Sequence, residues 1–303
     1  MDIGRIDSRD LLNKERDKFM VQAGRVFLLF VVTMMSSLTA SAQSAITLPP
    51  PPFTLPFVPS LSGLWTVTIG ANGNGQPDFE GARRYRLSLL PIFSIHRPGS
   101  TEGFVSPRDG ASFALFDWGG LRTGPVGKVR AARTASTDAA LNGLGDVGLA
   151  VELGGFTEYF PVDWLRTRVE VRRGFGSHDG IVSDFSADVI VPVMQRVTWS
   201  GGPRFTWEDA HATAPYFGIN AEQAAASGLP AFDARGGSHS AGAGTQVRYQ
   251  VDPHWEVHSY VEYDRLLGSA AASPLVTLRG SPDQVRVGLG ASYSFDVRVP
   301  TAP

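Results

Sequence analysis

The chain has 303 residues, enough for one large domain or two ordinary ones, with 34 glycines, 21 prolines and no cysteine. Disulfide and thiolate chemistry are therefore excluded, and a formal net charge of −2 leaves no broad basic footprint for nucleic acid. A mean hydropathy of −0.04 excludes a bundle of membrane helices but not a β-barrel, whose strands alternate apolar and polar residues.

Residues 1–19 are charged and carry no apolar period. Met20 and Arg25 then precede an apolar run over residues 26–32, which continues through Met34, Met35 and Leu38 and ends in Ala40, Ser41 and Ala42. A cationic start, an apolar core and an A-x-A exit form the layout of a secretory signal peptide. The core is too short to span a bilayer as a helix. Residues 1–42 are thus read as a leader, with Met20 as the working start and residues 20–42 as a signal peptide cleaved between Ala42 and Gln43. The lack of cysteine suits an exported protein. Residues 43–62 are rich in proline, which favours polyproline II and forbids regular pairing. They are expected to be a stiff spacer, the alternative being a periplasmic arm that docks a partner.

From residue 61 onward the dominant period is two. Leu165, Thr167, Val169 and Val171 alternate with Arg166, Arg168, Glu170 and Arg172. Phe185, Ala187, Val189 and Val191 alternate with Asp184, Ser186 and Asp188. Phe205 and Trp207 follow, then Trp255, Val257, Ser259, Val261 and Tyr263 against Glu256, His258, Tyr260, Glu262 and Asp264. Val285, Val287, Leu289, Ala291, Tyr293 and Phe295 form one face of the last strand. Alternation alone does not separate a soluble sandwich from a membrane barrel. The export signal, strands about as long as a tilted span requires, and Arg facing Asp and Glu on the polar faces all favour the barrel. The six tryptophans near strand ends suit interfacial girdles.

The chain is therefore read as all-β: an antiparallel transmembrane β-barrel of about 10–12 strands over residues 63–295, with a C-terminal tail over residues 296–303. The long interruption at residues 209–237 is expected to hold one short helix, residues 221–227, between Asn220 as N-cap and Gly228 as stop. Residues 177–180 and 251–254 read as short turns, and short turns are periplasmic.

Apparent chemical motifs dissolve on inspection. Gly143, Gly145 and Gly148 match G-x-G-x-x-G, but a nucleotide loop needs a strand before it and a helix after it. Here a strand follows. Ser177, His178 and Asp179 name a hydrolytic triad, yet neighbours in an extended chain point to opposite faces. His254 and His258 on one strand would stand about 13 Å apart, too far to share a metal. No catalytic residue, cofactor or metal is expected. Lys128 is the one lysine after the leader, and arginine holds bidentate pairs better. Two arginine rows, at 83, 84 and 86 and at 166, 168, 172 and 173, admit two readings. One is a positive wall that favours anions. The other, preferred because unpaired buried charge is costly, is a ladder of Arg–carboxylate pairs in which Asp184, Asp188, Glu170, Glu256 and Glu262 supply the partners. Arg166, Arg168, Arg172, Glu256 and Glu262 are expected to line the lumen in a structural role.

Several stretches also resemble the MipA/OmpV family of Gram-negative outer-membrane proteins. They are Leu64 to Gly70 with Pro77 to Gly81, Gly143 to Val147, Pro215 to Ile219 with Ala226 to Pro230, Arg265 to Gly268 with Ser273 to Val276, and the close at Tyr293 to Phe295. The resemblance implies an outer-membrane barrel and a non-enzymatic envelope scaffold. Its expected partners are a periplasmic lytic murein transglycosylase, a penicillin-binding murein synthase, the barrel assembly machinery and outer-membrane lipid, with no nucleic acid. A passive channel for small solutes is the alternative, and a lumen-rim lipid hydrolase the third reading. Family barrels end at the terminal aromatic, whereas this chain continues past Phe295.

Overall fold

The computed structural model describes residues 46–47, 63–96 and 104–299. The leader, the Ala42–Gln43 cleavage and most of the expected spacer lie outside the described residues. What is described is an antiparallel, nearly closed barrel of 11–12 strands. Ten long strands carry it: β2 (Gly63–Pro77), β3 (Tyr85–His96), β6 (Leu121–Arg130), β7 (Ala150–Val162), β8 (Leu165–Gly176), β9 (Ile181–Met194), β10 (Val197–Glu208), β11 (Gly237–Gln250), β12 (Trp255–Leu266) and β13 (Asp283–Val299). Two short pieces, β4 (Ala111–Ser112) and β5 (Phe116–Trp118), pair with β6. A further pair, β1 (Ile46–Thr47), lies parallel to β13.

Neighbours in sequence pair in space from β6 to β13, and β13 then pairs with β2, which pairs with β3. Alternation decides which way each side chain points. On β8, Arg166, Arg168, Glu170 and Arg172 are buried, while Thr167, Val169, Val171 and Phe175 are exposed. The same inversion holds for Leu153 against Glu152, Val189 against Asp188 and Val261 against Glu262. Charge inside and oil outside is the reverse of a soluble fold. It is the arrangement lipid requires, and from β6 round through β13 and β2 to β3 each strand is hydrogen-bonded to the next.

One pairing gap is repaired by a side chain. β9 and β10 lose register pairing around Pro203, which has no N–H to donate. Arg204 Nη1 donates instead to the Ala187 carbonyl oxygen at 3.1 Å.

Three sequence expectations change. Residues 296–299 are not tail but the end of β13, because β2 begins at Gly63 and needs a partner; Gly63 faces Val299, and Val297 is buried. The turns at 177–180 and 251–254 lie at opposite ends of the barrel, since an odd number of strands, β9 to β11, separates them. Turn length alone does not set the side. The expected helix is present as α2 (Ala221–Ser227), with its Asn220–Gln223 capping box and Gly228 left-handed at φ 72°. It is joined by α1 (Ala210–Phe217), α3 (Gly268–Ala272) and α4 (Pro274–Arg279).

The two ends differ. One has short turns at residues 163–164, 195–196 and 251–254, with Trp118, Trp164, Trp199 and Trp255 close by. The other carries long loops at residues 78–84, 131–149, 209–236 and 267–282, and these pack into a cap. Its core joins Phe79, Leu141, Leu144, Ile219, Leu229 and Leu275 in one cluster and Tyr216, Phe217, Leu266 and Val276 in another. Arg279 donates to the Ala140 and Ser227 carbonyls, and Ser273 Oγ to the Phe217 carbonyl at 2.7 Å. Gly143 sits where only glycine fits: its φ is +81°, and a Cβ would stand 2.6 Å from the Ala226 backbone.

Candidate functional site

The inner face of the barrel is a network of ion pairs built around a plug. Residues 104–110, between β3 and β4, cross the lumen and touch strands on its far side. Arg108 Nη1 lies 2.9 Å from Glu262 and 2.8 Å from Asp264 on β12, and Nη2 donates to Thr206 on β10 at 2.5 Å. Asp109 accepts from Arg166 at 2.7 Å, and the Gly110 amide donates to Glu170 at 3.0 Å. Backbone polar groups of an irregular segment at this depth are tolerated where the segment is packed against protein or lines an enclosed cavity, as residues 104–110 do.

The wall supplies the rest. Glu158 on β7 takes Arg166 at 2.7 Å and Arg168 at 3.0 Å, and also pairs with Arg122. Arg172 reaches Glu152 at 3.0 Å and Asp184 at 2.6 Å, and pairs with Glu170. Arg204 holds Asp188 at 2.5 Å, and Arg286 holds Glu262 at 2.9 Å. Each of these carboxylates therefore has a cation within ion-pair distance. Removing one partner from such a set leaves a buried charge uncompensated.

Of the five residues singled out from sequence, Arg166, Arg168 and Arg172 stand together on β8, and Glu262 joins them through Arg108 and Asp184. Glu256 stands apart, 3.8 Å from Arg248 near the short turns. Sequence reasoning missed Arg108 and Asp109, which sit in a stretch with no strand period, and Glu158, whose role appears only when β7 pairs with β8. Ser177, His178 and Asp179 diverge: Ser177 Oγ meets Tyr216 Oη at 3.0 Å, Asp179 meets His211 at 3.1 Å, and His178 turns toward Glu152.

Above the plug, under the cap, lies a cavity of about 360 Å³ lined by Arg86, Arg108, Lys128, Arg286, Glu262 and Asp264 among others. Below it two described voids measure about 50 and 10 Å³, room for a few waters each at most. A clamp fixes the β2–β3 loop over the cavity: Glu80 meets His239 Nε2 at 2.6 Å and Arg130 Nη2 at 2.7 Å, and Arg130 also holds Glu208 at 2.9 Å.

Burial alone would raise the Glu80 carboxyl; His239 and Arg130 outweigh it and hold it well below the usual carboxylate range. A depressed carboxyl contributes stability that is present above its unfolded value, about 4.5, and is lost as pH falls through the folded value. The loop is therefore expected to stay docked from about pH 7 to about pH 5 and to release well below about pH 4. Amide hydrogen exchange of residues 79–82 across that range checks this. Release already near neutral pH would contradict it.

The family model of MltA-interacting protein MipA matches residues 69–295 of this sequence. Among solved structures, the NanC porin in its rhombohedral crystal form is similar at 10% identity, with a TM-score of 0.41, over 74% of this chain and 98% of that one. The COG4313 outer membrane channel from Pseudomonas putida F1 is similar at 12% identity and a TM-score of 0.41, over 80% and 100%. Neisserial surface protein A is similar at 11% identity and a TM-score of 0.25, over 76% and 98%. No curated protein sequence matches the chain.

Proposed function

The chain belongs to the MltA-interacting protein MipA family and is an outer-membrane β-barrel, and from that premise we propose that it is a non-enzymatic scaffold of the cell envelope. Its partners in this reading are a periplasmic murein transglycosylase, as the family's name says of its namesake, and a penicillin-binding murein synthase. The observation that carries the reading is the plug. Arg108 and Asp109 tie residues 104–110 to β8, β9, β10 and β12, so the middle of the lumen is occupied by paired charge. A barrel closed in this way acts through its surfaces. In outer-membrane barrels the end at which short turns predominate is the periplasmic one, so the end bearing residues 163–164, 195–196 and 251–254 is taken as the one that meets murein enzymes, the short turn at 177–180 lying with the long loops. Arg166, Arg168, Arg172 and Glu262 then serve to close and stiffen the lumen, and Glu256 to brace the periplasmic side.

Affinity purification of the tagged full chain from solubilised envelopes tests this. The expected outcome is enrichment of a murein transglycosylase over a control barrel of similar size. Recovery of neither murein enzyme, after mild cross-linking in intact cells, would overturn the scaffold reading.

A further inference from the structure

The barrel wall has a seam. β3 pairs with β2 along one edge, and among the described residues its other edge pairs with no strand. On the opposite side, β6 is covered by β4 at Val126 and Gly127 and by β5 at residues 121–123, which leaves residues 128–130 without a strand on that edge among the described residues. Pro91, in the middle of β3, has no N–H to offer a strand that would add there. Proline on an edge strand blunts it against pairing, so another strand is not the occupant this edge invites.

The cavity under the cap opens at this seam. From β3 it is lined by Arg86 and Leu90, and from β6 by Lys128 and Val129. Leu90 alternates with Arg86 and Ser88 on the inner face yet is 47% exposed, whereas Val129 belongs to the outer face. A cavity lined by an inner residue of one edge and an outer residue of the other passes through the wall between them.

Charge at the seam has a sign. Arg86 has no carboxylate partner among the described residues, and its buried Nε and the buried Ser88 Oγ beside it lack hydrogen-bond partners. The side chains of Lys128 and Arg286 are about a third exposed, while their carboxylates Asp184, Glu262 and Asp264 lie deeper. Of the two carboxylates that the β2–β3 loop adds to the cavity, Glu80 is clamped by Arg130 and His239, and Asp78 lies 3.9 Å from Arg84. Positive groups thus stand at the mouth and negative ones behind them. Outside, Leu87, Leu89 and Phe93 form an exposed apolar track along β3.

We propose that the seam between β3 and β6 is a lateral binding site for an anionic membrane lipid, with its headgroup phosphate on Arg86 and Lys128 and its acyl chain along Leu87, Leu89 and Phe93. A phosphate would give Arg86 the anion that the wall does not supply and would take the exposed side of Lys128, whose Nζ also donates to the Arg108 carbonyl at 3.0 Å and lies 3.4 Å from Asp184, while an acyl chain covers an edge that bare hydrocarbon contact would penalise. This site is independent of the scaffold reading and does not stand or fall with it.

Native mass spectrometry of the full chain, released from micelles doped with equal phosphatidylglycerol and phosphatidylcholine, tests the site. Phosphatidylglycerol is expected to be retained about tenfold over phosphatidylcholine, because both carry the phosphate but the quaternary ammonium of phosphatidylcholine cancels its charge and is repelled by the cations at the mouth. Arg86→Gln with Lys128→Gln should bring that ratio to about one, while Arg265→Gln, at an exposed pair, leaves it unchanged. Leu90→Trp, which fills the opening and keeps every charge, should lower retention of both lipids. Equal retention of the two lipids by the parent chain would overturn the proposal. So would displacement of lipid by millimolar inorganic phosphate with Leu90→Trp lacking effect, which would mark a soluble-anion site instead.

Discussion

Glu158→Gln is expected to cost the barrel about 3–5 kcal/mol, the range for removing one partner from a buried charge set. Glu158 is 3% exposed and is shared by Arg122, Arg166 and Arg168. Glutamine keeps the shape and one acceptor but removes the charge that three guanidiniums converge on. Asp109, Asp188 and Glu170 compensate Arg166 and Arg168 in part, which is why the loss stays within that range. Asp283→Asn is the control. Its pair with Arg265 is also short, at 2.6 Å, but both side chains are about half exposed, and exposed pairs contribute about 1 kcal/mol or less. Urea unfolding in vesicles, followed by tryptophan fluorescence, measures both. Similar small shifts for the two variants would mean that the lumen network does not hold the barrel.

The second large effect is on the opposite face. Val171 lies mid-strand on β8 and is 48% exposed. On a water-facing surface, an arginine there would change stability by about 0.5 kcal/mol or less. On a lipid-facing surface near the bilayer centre it costs about 2–4 kcal/mol. Val171→Arg is therefore expected to lower the unfolding midpoint strongly in vesicles and to reduce the yield of folded barrel. Thr167→Arg, nearer the short turns, should cost less, because the penalty falls toward the interface. Equal, negligible effects at both positions would place this face in water.

The strand regions were legible because the period-two rule reports directly on which face each residue occupies. Arg166, Arg168 and Arg172 alternate with Thr167, Val169 and Val171, and the same register appears in the folded chain. What those charges meet was legible in part: Glu170, Asp184 and Asp188, named from sequence as partners, pair with Arg168 and Arg172, with Arg172, and with Arg166, whereas the partners of Arg108 were not. Arg108 finds Asp184, Thr206, Glu262 and Asp264, all more than seventy residues away, and closure of the barrel alone brings them together. Glu256 shows the limit: its residue type and alternation matched those of Glu262, but its height in the barrel gave it only Arg248.

The cap was present in the sequence in a different guise. The stretches at Pro215 to Ile219 and Ser273 to Val276, read as marks of a family, supply Tyr216, Phe217, Ile219, Leu275 and Val276 to its two apolar clusters. Only α2 carried a complete local signature, with Asn220 and Gln223 capping one end and Gly228 closing the other. α3 has no side-chain cap, and α1 tolerates Pro215 inside it. Beyond the Asp209 N-cap of α1, those helices are held by loops packing on each other, which local rules do not report.

The account rests on a lumen shut by residues 104–110 and the charges that pin them. Planar-bilayer recording of the purified full chain at moderate voltage tests this most directly. The predicted result is a silent membrane with the parent protein and the onset of conductance once Arg108 and Asp109 are both replaced by alanine. A steady open pore formed by the parent protein would contradict it.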